Sequence, residues 1–248
     1  MMHPRFSLDP LFRYATCEDL IALKANLPHF CYCEPSSLDS LTWRLKEMGR
    51  LFCIDLMQQL EPGKALEVGA GGSTYFDEAI GQTWESWMID KPGFYSKEQY
   101  ELWLKNRKNT KSVEGFMGEF LEELKPEFFN LVYSVSVLEH APLGDLDLIY
   151  ADMYRVLKPG GFMVHSIDTS DLEAGNCHYE SIKKAGFALP DAPDLTISVR
   201  RSDNGSATLL EPLAVVFCNY FGRKRPDMWT KLVTIPNHYT TILVIAKK

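Results

Sequence analysis

A glycine-rich turn near residue 70 is the part of the sequence most able to hold a ligand. Within the segment ALEVGAGGSTYFDEAI (65–80), an apolar run enters a turn that contains Gly69 and Gly71, and a helical pattern follows. Because glycine has no Cβ, such a turn can bend tightly and approach a ligand closely. The first N–H groups of the following helix have no partner within the helix and point at the same place. The turn alone leaves the ligand open, since dinucleotides, flavins and nucleosides all bind such turns.

Two acidic residues narrow the choice of ligand. Glu67 lies two residues before Gly69, where a carboxylate would repel a pyrophosphate and attract a cationic group. Asp90 ends the next apolar run, 84–89, where it can accept hydrogen bonds from both hydroxyls of a ribose. The turn also lacks the third glycine of a dinucleotide fingerprint. These residues favour a ligand that has a ribose and a positive centre but no phosphate. S-adenosylmethionine fits this description better than NAD does.

Alternating strands and helices must position these residues. Apolar runs predict strands at 65–68, 84–89, 112–115, 129–137, 161–167 and 239–246. Helical patterns between them predict helices at 74–80, 97–107, 118–125 and 146–157. This alternation is typical of a mostly parallel sheet covered on both faces, which binds ligands at the carboxyl ends of its strands. We therefore expect an α/β fold, a Rossmann-like doubly wound sheet of about seven strands with an antiparallel C-terminal strand.

The two ends of the chain depart from that alternation. Residues 1–60 carry an apolar stripe at helical spacing, which stops at Glu61-Pro62-Gly63 and predicts a helical N-terminal cap or lid. Aromatic side chains of this cap either cover the site or only attach the cap to the domain, and both alternatives stay open. The main domain is expected at 61–248, with a β-containing insertion at about 190–236.

Five segments together resemble the class I S-adenosylmethionine-dependent methyltransferases, of the small-molecule, methyltransferase-11-like type. The resemblance covers about residues 60–190 and rests on LEVGAGGS (66–73), WMID (87–90), Gly118-Glu119, FNLVYSVSVLEHAP (129–142) and DMYRVLKPGGFMVHSID (152–168). Asn130 departs from the family's usual aspartate, and Lys91-Pro92-Gly93 is less typical of the family. Because Ser134 and Ser136 stand at the end of the fourth strand, the resemblance implies a mechanism without a metal.

The resemblance implies two sets of site residues. The first set is expected to contact S-adenosylmethionine and consists of Glu67, Gly69, Ala70, Gly71, Ser73, Asp90, Glu119, Ser134, Val135 and Glu139. Within this set, Glu119 is expected near the adenine. A hydroxyl acceptor benefits from a general base, and the expected catalytic residues are His140, His178 and Asp168. His140 can instead be a capping or core histidine, and we expect His165 to pack in the core.

Composition excludes several classes of partner and compartment. With 26 Lys and Arg against 33 Asp and Glu, the net charge of −7 makes a nucleic-acid partner unfavourable. The basic clusters at 105–111 and 223–225 are expected to be solvated surfaces. Neither a membrane-spanning run nor a secretory signal is visible, so a cytoplasmic protein with free thiols is expected. No metal site is expected at His29, Cys31 and Cys33, because no second ligand pair follows.

These patterns lead to one expected function and to alternatives. We expect methyl transfer to a small-molecule acceptor, at a hydroxyl of a sugar or secondary metabolite. Nitrogen or carbon acceptors stay open, as do a non-catalytic scaffold with the same fold and a homodimer. A nicotinamide-dependent oxidoreductase is disfavoured, because the glycine turn lacks the third glycine of a dinucleotide fingerprint.

Overall fold

The computed structural model describes most of the chain. The described residues are 6–30, 40–71, 76, 83–91, 96–107, 109–169, 172–195, 198–201, 208–211 and 240–248. Five helices lie within them: α1 (Cys17–Asn26), α2 (Ser40–Met57), α3 (Lys97–Asn106), α4 (Leu146–Val156) and α5 (Leu172–Lys184). The strands are β1 (Leu11–Tyr14), β2 (Lys64–Val68), β3 (Glu85–Asp90), β4 (Thr110–Glu114), β5 (Phe129–Val135), β6 (Leu157–Thr169), β7 (Ser198–Arg201), β8 (Thr208–Glu211) and β9 (Thr240–Lys247).

Seven strands form one sheet in the order β1-β9-β6-β5-β2-β3-β4. The neighbouring pairs from β6 to β4 are parallel, and β9 runs antiparallel to both β6 and β1. The expected α/β, Rossmann-like sheet of about seven strands with an antiparallel C-terminal strand is thus confirmed. Because the five strands from β6 to β4 are parallel, their carboxyl ends meet at one edge, where a ligand site is expected.

Helices cover both faces of the sheet. On one face, α2 buries Met48, Leu51 and Phe52 with the strand residues Leu131 and Tyr133 in one core. On the other face, a second core contains α4 and α5 residues together with Leu66 and Val132. Gly49 allows the close contact of α2 with the sheet, since a Cβ there would overlap the Ser166 side chain. The apolar stripe predicted for α2 is therefore the face that packs on the strands.

The N-terminal segment contributes a strand as well as helices. Residues 11–14 pair antiparallel with β9, with Leu11 opposite Ile245 and Tyr14 opposite Ile242. The expectation that residues 1–60 are helical is wrong at these residues, because a four-residue run is too short to show its period. Phe12 and Tyr14 are buried there against the sheet's core. Whether this segment acts as a lid stays a prediction.

The predicted helix at 118–125 is wrong. Gly118 and Phe120 have φ values of +97° and +54°, and the segment is a series of turns. The buried carboxylate of Asp152 in α4 holds these turns, because its Oδ2 accepts hydrogen bonds from the N–H groups of Gly118 at 2.9 Å and Phe120 at 3.3 Å. A contact between residues more than 30 positions apart thus overrides the local helical pattern.

Other predicted elements have mixed outcomes. The helices at 97–107 and 146–157 are present as α3 and α4, and within the predicted insertion β7 and β8 form an antiparallel pair. The predicted helix at 74–80 and most of the insertion at 190–236 lie outside the described residues. Among the residues that are described, no helix is both long and apolar enough to cross a membrane.

Candidate functional site

The turn after β2 has the backbone conformation that only glycine adopts easily. Gly69 and Gly71 have φ values of +69° and +54°. The Gly69 N–H donates a hydrogen bond of 2.9 Å to the carbonyl of Ile89, and a Cβ on Gly69 would overlap the Val137 side chain. The turn is therefore fixed against the ends of both β3 and β5. Ser73, expected to contact the cofactor, lies outside the described residues.

Asp90 lies directly beside this turn. Its Oδ2 accepts a hydrogen bond of 2.6 Å from the Gly71 N–H, and its Oδ1 accepts one of 2.7 Å from the Lys91 N–H. The Tyr100 hydroxyl on α3 donates to the Asp90 carbonyl at 3.2 Å. The structure thus brings together two groups that the sequence placed at the ends of separate strands.

Glu67 forms a buried ion pair that the sequence did not predict. Its Oε2 lies 3.0 Å from Nη1 of Arg107, and the two side chains are 8% and 1% exposed. The Tyr133 hydroxyl lies 3.5 Å from the same oxygen. Arg107 had been assigned to a solvated basic cluster at 105–111, and this assignment is wrong for that residue. The sequence signal for this ion pair was a carboxylate within a buried strand, because a buried charge requires a counter-charge.

Glu119 lies at the exposed rim of the site. Its Oε2 accepts a hydrogen bond of 2.9 Å from the Phe116 N–H, and its Oε1 lies 3.7 Å from Nζ of Lys91. Through Lys91 it is next to Asp90, at the edge where β3 and β4 end. Its expected contact with an adenine stays a prediction.

Ser134 and Val135 end β5 with different surroundings. Ser134 is fully buried, and its Oγ lies 2.7 Å from Nδ1 of His165 on the neighbouring strand. Val135 is partly buried and packs with the residues of the α2 face. Ser136 follows with a φ of +52°, and its N–H donates to the Ser166 carbonyl at 2.9 Å. The Ser134 side chain is therefore engaged in the core, which sequence reasoning could not tell.

Glu139 and Asp168 form an interacting pair of carboxylates after β5 and at the end of β6. Burial, together with the charge of Asp168, raises the pKa of Glu139 to about 8. Burial also raises the pKa of Asp168, and the hydroxyls of Ser136 and Thr241 partly offset this shift. Thr241 donates a hydrogen bond of 2.7 Å to Asp168 Oδ1, whereas Glu139 Oε2 is buried with no hydrogen-bond partner among the described residues. Two buried carboxylates that repel each other retain a proton near neutral pH.

The three histidines near the site differ in exposure. His140 has a side chain that is 66% exposed, and its Nε2 lies 3.8 Å from Glu139 Oε1. His178 is buried in α5, where its Nδ1 and the Tyr150 hydroxyl share a hydrogen bond of 2.7 Å. Burial lowers the pKa of His178 to about 4 and, with the nearby His178, lowers that of His165 to about 3. Of the three expected catalytic residues, the structure brings His140 and Asp168 to Glu139, while His178 is paired with Tyr150.

The charge of the site limits what it can hold. The carboxylates of Glu67, Asp90, Glu119, Glu139 and Asp168 lie along this edge of the sheet; Arg107 is paired with Glu67, and Lys91 lies 3.7 Å from Glu119. In the part of the chain that the structure describes, no group of three or more His, Cys, Asp or Glu side chains could hold a metal ion. The arrangement favours a ligand that carries hydroxyl groups and a positive centre.

Comparisons with known proteins agree with this geometry. Residues 66–165 match the family described as "Methyltransferase domain". A sterol 24-C-methyltransferase of Clavispora lusitaniae is 34% identical over 68 residues, which are 27% of this chain and 18% of the relative. The sterol 24-C-methyltransferase of Candida albicans is 31% identical over 119 residues, 44% of this chain and 29% of the relative. The chain thus spans less than a third of either curated relative.

Solved structures share the fold at low sequence identity. The [4+2]-cyclase SpnF superposes with a TM-score of 0.54 at 15% identity, covering 97% of this chain and 99% of its own. A phosphoethanolamine N-methyltransferase 2 from Haemonchus contortus, solved with S-adenosyl-L-methionine, superposes with a TM-score of 0.51 at 15% identity, covering 92% of this chain and 56% of its own. At such identities the likeness shows the fold alone.

The fold and the family match define the class. The seven-stranded sheet and the matched residues 66–165 are those of a class I S-adenosylmethionine-dependent methyltransferase domain. The resemblance stated from the sequence is confirmed, and the chain contains a methyltransferase domain of that class.

Proposed function

We propose that this chain binds S-adenosylmethionine at the glycine turn and methylates a small-molecule acceptor. The observation that carries the proposal is the hydrogen bond between Gly71 and Asp90, which joins the turn to a carboxylate at the same strand edge. β5 and β6 are the next two strands along that edge; Glu139 follows β5 in a short 3-10 helix, and Asp168 lies near the end of β6. In this proposal the glycine turn binds the methyl donor, and the carboxylates at the same edge of the sheet take the proton of the acceptor.

The residues present fit the cofactor that the fold implies. The positive φ values of Gly69 and Gly71 leave the backbone of the turn open to close approach by a ligand. A carboxylate offers about four lone-pair sites. Asp90 already accepts hydrogen bonds from the N–H groups of Gly71 and Lys91, and it can also accept hydrogen bonds from ribose hydroxyls. When bound, S-adenosylmethionine supplies a methyl group carried on a positively charged sulfonium, which suits an acidic pocket. The protein's own contribution is alignment of the acceptor and exclusion of water.

We propose a hydroxyl of a sugar or secondary metabolite as the acceptor and Asp168 as the group that takes its proton. The pair of Asp168 and Glu139 holds one proton near neutral pH, because burial raises both pKa values and the charge of Asp168 raises that of Glu139 further. The ionised member can accept the proton that a hydroxyl loses as it is methylated. His140, exposed and 3.8 Å from Glu139, can pass that proton on to water.

A carbon acceptor is the second candidate. It is supported by the two sterol 24-C-methyltransferases, although each matches over less than a third of its length. Methylation of carbon also releases a proton, which the same carboxylate pair could accept. A third candidate keeps the fold without methyl transfer, as the similarity to a [4+2]-cyclase illustrates.

Calorimetric titration tests the donor site first. S-adenosylmethionine and S-adenosylhomocysteine are titrated separately into the wild type, into Asp90→Ala and into Glu85→Ala. Glu85 is an exposed acid on the same strand, so its variant controls for the loss of one carboxylate from β3. Micromolar binding that only Asp90→Ala abolishes supports the donor site, whereas a folded wild type without binding contradicts it.

A panel of acceptors then separates the candidates. The wild type is incubated with S-adenosylmethionine that carries an isotope-labelled methyl group and with hydroxyl, amine and olefin compounds of similar size. Mass spectrometry detects the labelled methyl group in the product. Label on a hydroxyl supports the proposed acceptor and label on carbon supports the second candidate. Binding without any transfer favours the third.

A further inference from the structure

Arg107 is a buried cation at the end of α3. Its N–H donates to the carbonyls of Trp103 and Leu104, both at 3.2 Å, and so closes the last turn of the helix. Its side chain is 1% exposed. Removing a guanidinium from water is costly unless its donors are satisfied by an acid and by carbonyl groups. The position of this side chain is therefore set by the partners it meets.

Those partners are the two sides of the cofactor turn. Nη1 donates to Glu67 Oε2 at 3.0 Å, and Nη2 donates to the carbonyl of Ala70 at 3.2 Å. Ala70 lies between Gly69 and Gly71, both of which have positive φ. Because the guanidinium is a rigid planar fork, it fixes the Glu67 carboxylate and the Ala70 carbonyl relative to each other. The orientation of the peptide after Ala70 also decides where the Gly71 N–H points, and that N–H is bonded to Asp90.

Helix α3 holds the site at a second point. The Tyr100 hydroxyl donates to the Asp90 carbonyl at 3.2 Å, about two helical turns before Arg107. Glu67 also acts on the buried Cys53 thiol of α2. Burial raises the pKa of this thiol, and the charge of Glu67 raises it further. A charged Glu67 in this position depends on the guanidinium for compensation.

We propose that Arg107 is a positioning residue of the cofactor site and that Glu67 acts on the cofactor turn through Arg107. In this arrangement Glu67 anchors the guanidinium, the guanidinium orients the Ala70 carbonyl, and the turn is held open for its ligand. This inference rests on the proposed function, since it concerns the affinity of the same turn for S-adenosylmethionine and its product.

A double-mutant cycle tests the inference with S-adenosylhomocysteine as the probe. The variants are Glu67→Gln, Arg107→Met and the two combined, with Arg107→Lys as the conservative change and Lys105→Met as the matched control. Lys105 is an exposed cation on the same helix. Dissociation constants are measured by calorimetry at a temperature where each variant is folded, as judged by near-ultraviolet circular dichroism.

Residues that act in series give non-additive effects. We expect Arg107→Met to raise the dissociation constant at least about tenfold, equivalent to about 1.4 kcal/mol. The combined variant should bind no more weakly than Arg107→Met alone, because the link from Glu67 to the turn is already broken. Arg107→Lys should recover part of the affinity by keeping the charge, and Lys105→Met should bind as the wild type does.

Two outcomes overturn the inference. Losses that multiply in the combined variant mean that Glu67 contacts the ligand independently of Arg107. Unchanged affinity in Arg107→Met means that the turn needs no guanidinium. If Arg107→Met does not fold, Arg107→Lys and the combined variant, which leaves no buried charge uncompensated, decide between the same alternatives. A folded wild type that does not bind the probe is the separate failure of the proposed function.

Discussion

The backbone N–H of Gly71 donates a 2.6 Å hydrogen bond to Oδ2 of Asp90, so the turn after β2 is locked to the end of β3. The two residues are 19 positions apart in the chain and meet because β2 and β3 are parallel neighbours, with Val68 opposite Ile89. A bond of this kind makes the glycine turn and the carboxylate one unit. Changes to either residue should therefore alter ligand affinity more than they alter the rest of the fold.

Replacement of Gly69 by alanine should damage both the turn and its ligand affinity. The φ of +69° is unfavourable for alanine, and the new Cβ would overlap Val137. We expect the free energy of unfolding to fall by about 1–3 kcal/mol, the usual cost of such strain, and binding of S-adenosylhomocysteine to weaken. Urea unfolding and calorimetry measure the two effects. Gly144→Ala is the matched control, since a Cβ there meets nothing within 4 Å, and an equal loss in both variants contradicts the prediction.

Replacement of Asp168 by asparagine should lower the rate of methyl transfer without weakening cofactor binding. Asparagine keeps the shape and can still accept the hydrogen bond from Thr241, but it cannot accept a proton. Loss of a general base typically costs about 100- to 10,000-fold in kcat. The assay uses an acceptor found in the panel, and the exposed Asp191→Asn is the control. An unchanged kcat would show that the proton leaves by another route.

The raised pKa of Glu139 should make stability fall as the solution becomes more alkaline. Its pKa rises from the usual 4.5 to about 8 in the folded protein, so between these values the folded state binds more protons than the unfolded state. Stability is then lost as pH rises through that window, by at most about 1.4 kcal/mol per pH unit. Glu139→Gln removes this proton linkage, so its free energy of unfolding should fall less from pH 5 to pH 8. Urea titrations at several pH values compare the variant with the wild type, and parallel curves would refute the shift.

The buried histidine His178 should have the opposite effect on stability as pH changes. Its pKa falls from the usual 6.5 to about 4, so the unfolded state binds more protons between these values. The contribution of neutral His178 to the free energy of unfolding should be complete above about pH 6.5 and should be lost as pH falls toward 4. His178→Gln cannot be protonated, and its stability should depend less on pH in that range. Thermal unfolding between pH 4 and pH 7 checks this, with the exposed His140→Gln as the control.

Strongly periodic parts of the fold could be predicted from local sequence. The apolar runs that became β2, β3, β5 and β6 and the stripe of α2 alternate in the pattern that a covered parallel sheet requires. The short strand β1 could not be recognised, since four residues do not distinguish a strand period from a helical one. The turns near Gly118 were missed because their conformation depends on Asp152, which is 34 residues away in the sequence.

The candidate site was predicted where chemistry follows from residue type at a strand end. Glycine at 69 and 71 and an acid at 90 are recognisable because the backbone conformation and the ligand both restrict which residues can stand there. The role of Arg107 was not recognisable, since its neighbours in sequence are exposed and its partners lie 37 and 40 positions earlier.

The amino-acid sequence by itself determined the parallel sheet, the glycine turn and the acidic ends of the strands, because periodicity and residue type act over short distances along the chain. Only the tertiary structure decided which charges are paired and which share a proton. Glu67 forms an ion pair with Arg107, and Ser134 forms a hydrogen bond with His165. Burial and the charge of Asp168 raise the pKa of Glu139. These interactions depend on tertiary structure, because burial excludes water and each group then interacts with the partners that packing places beside it.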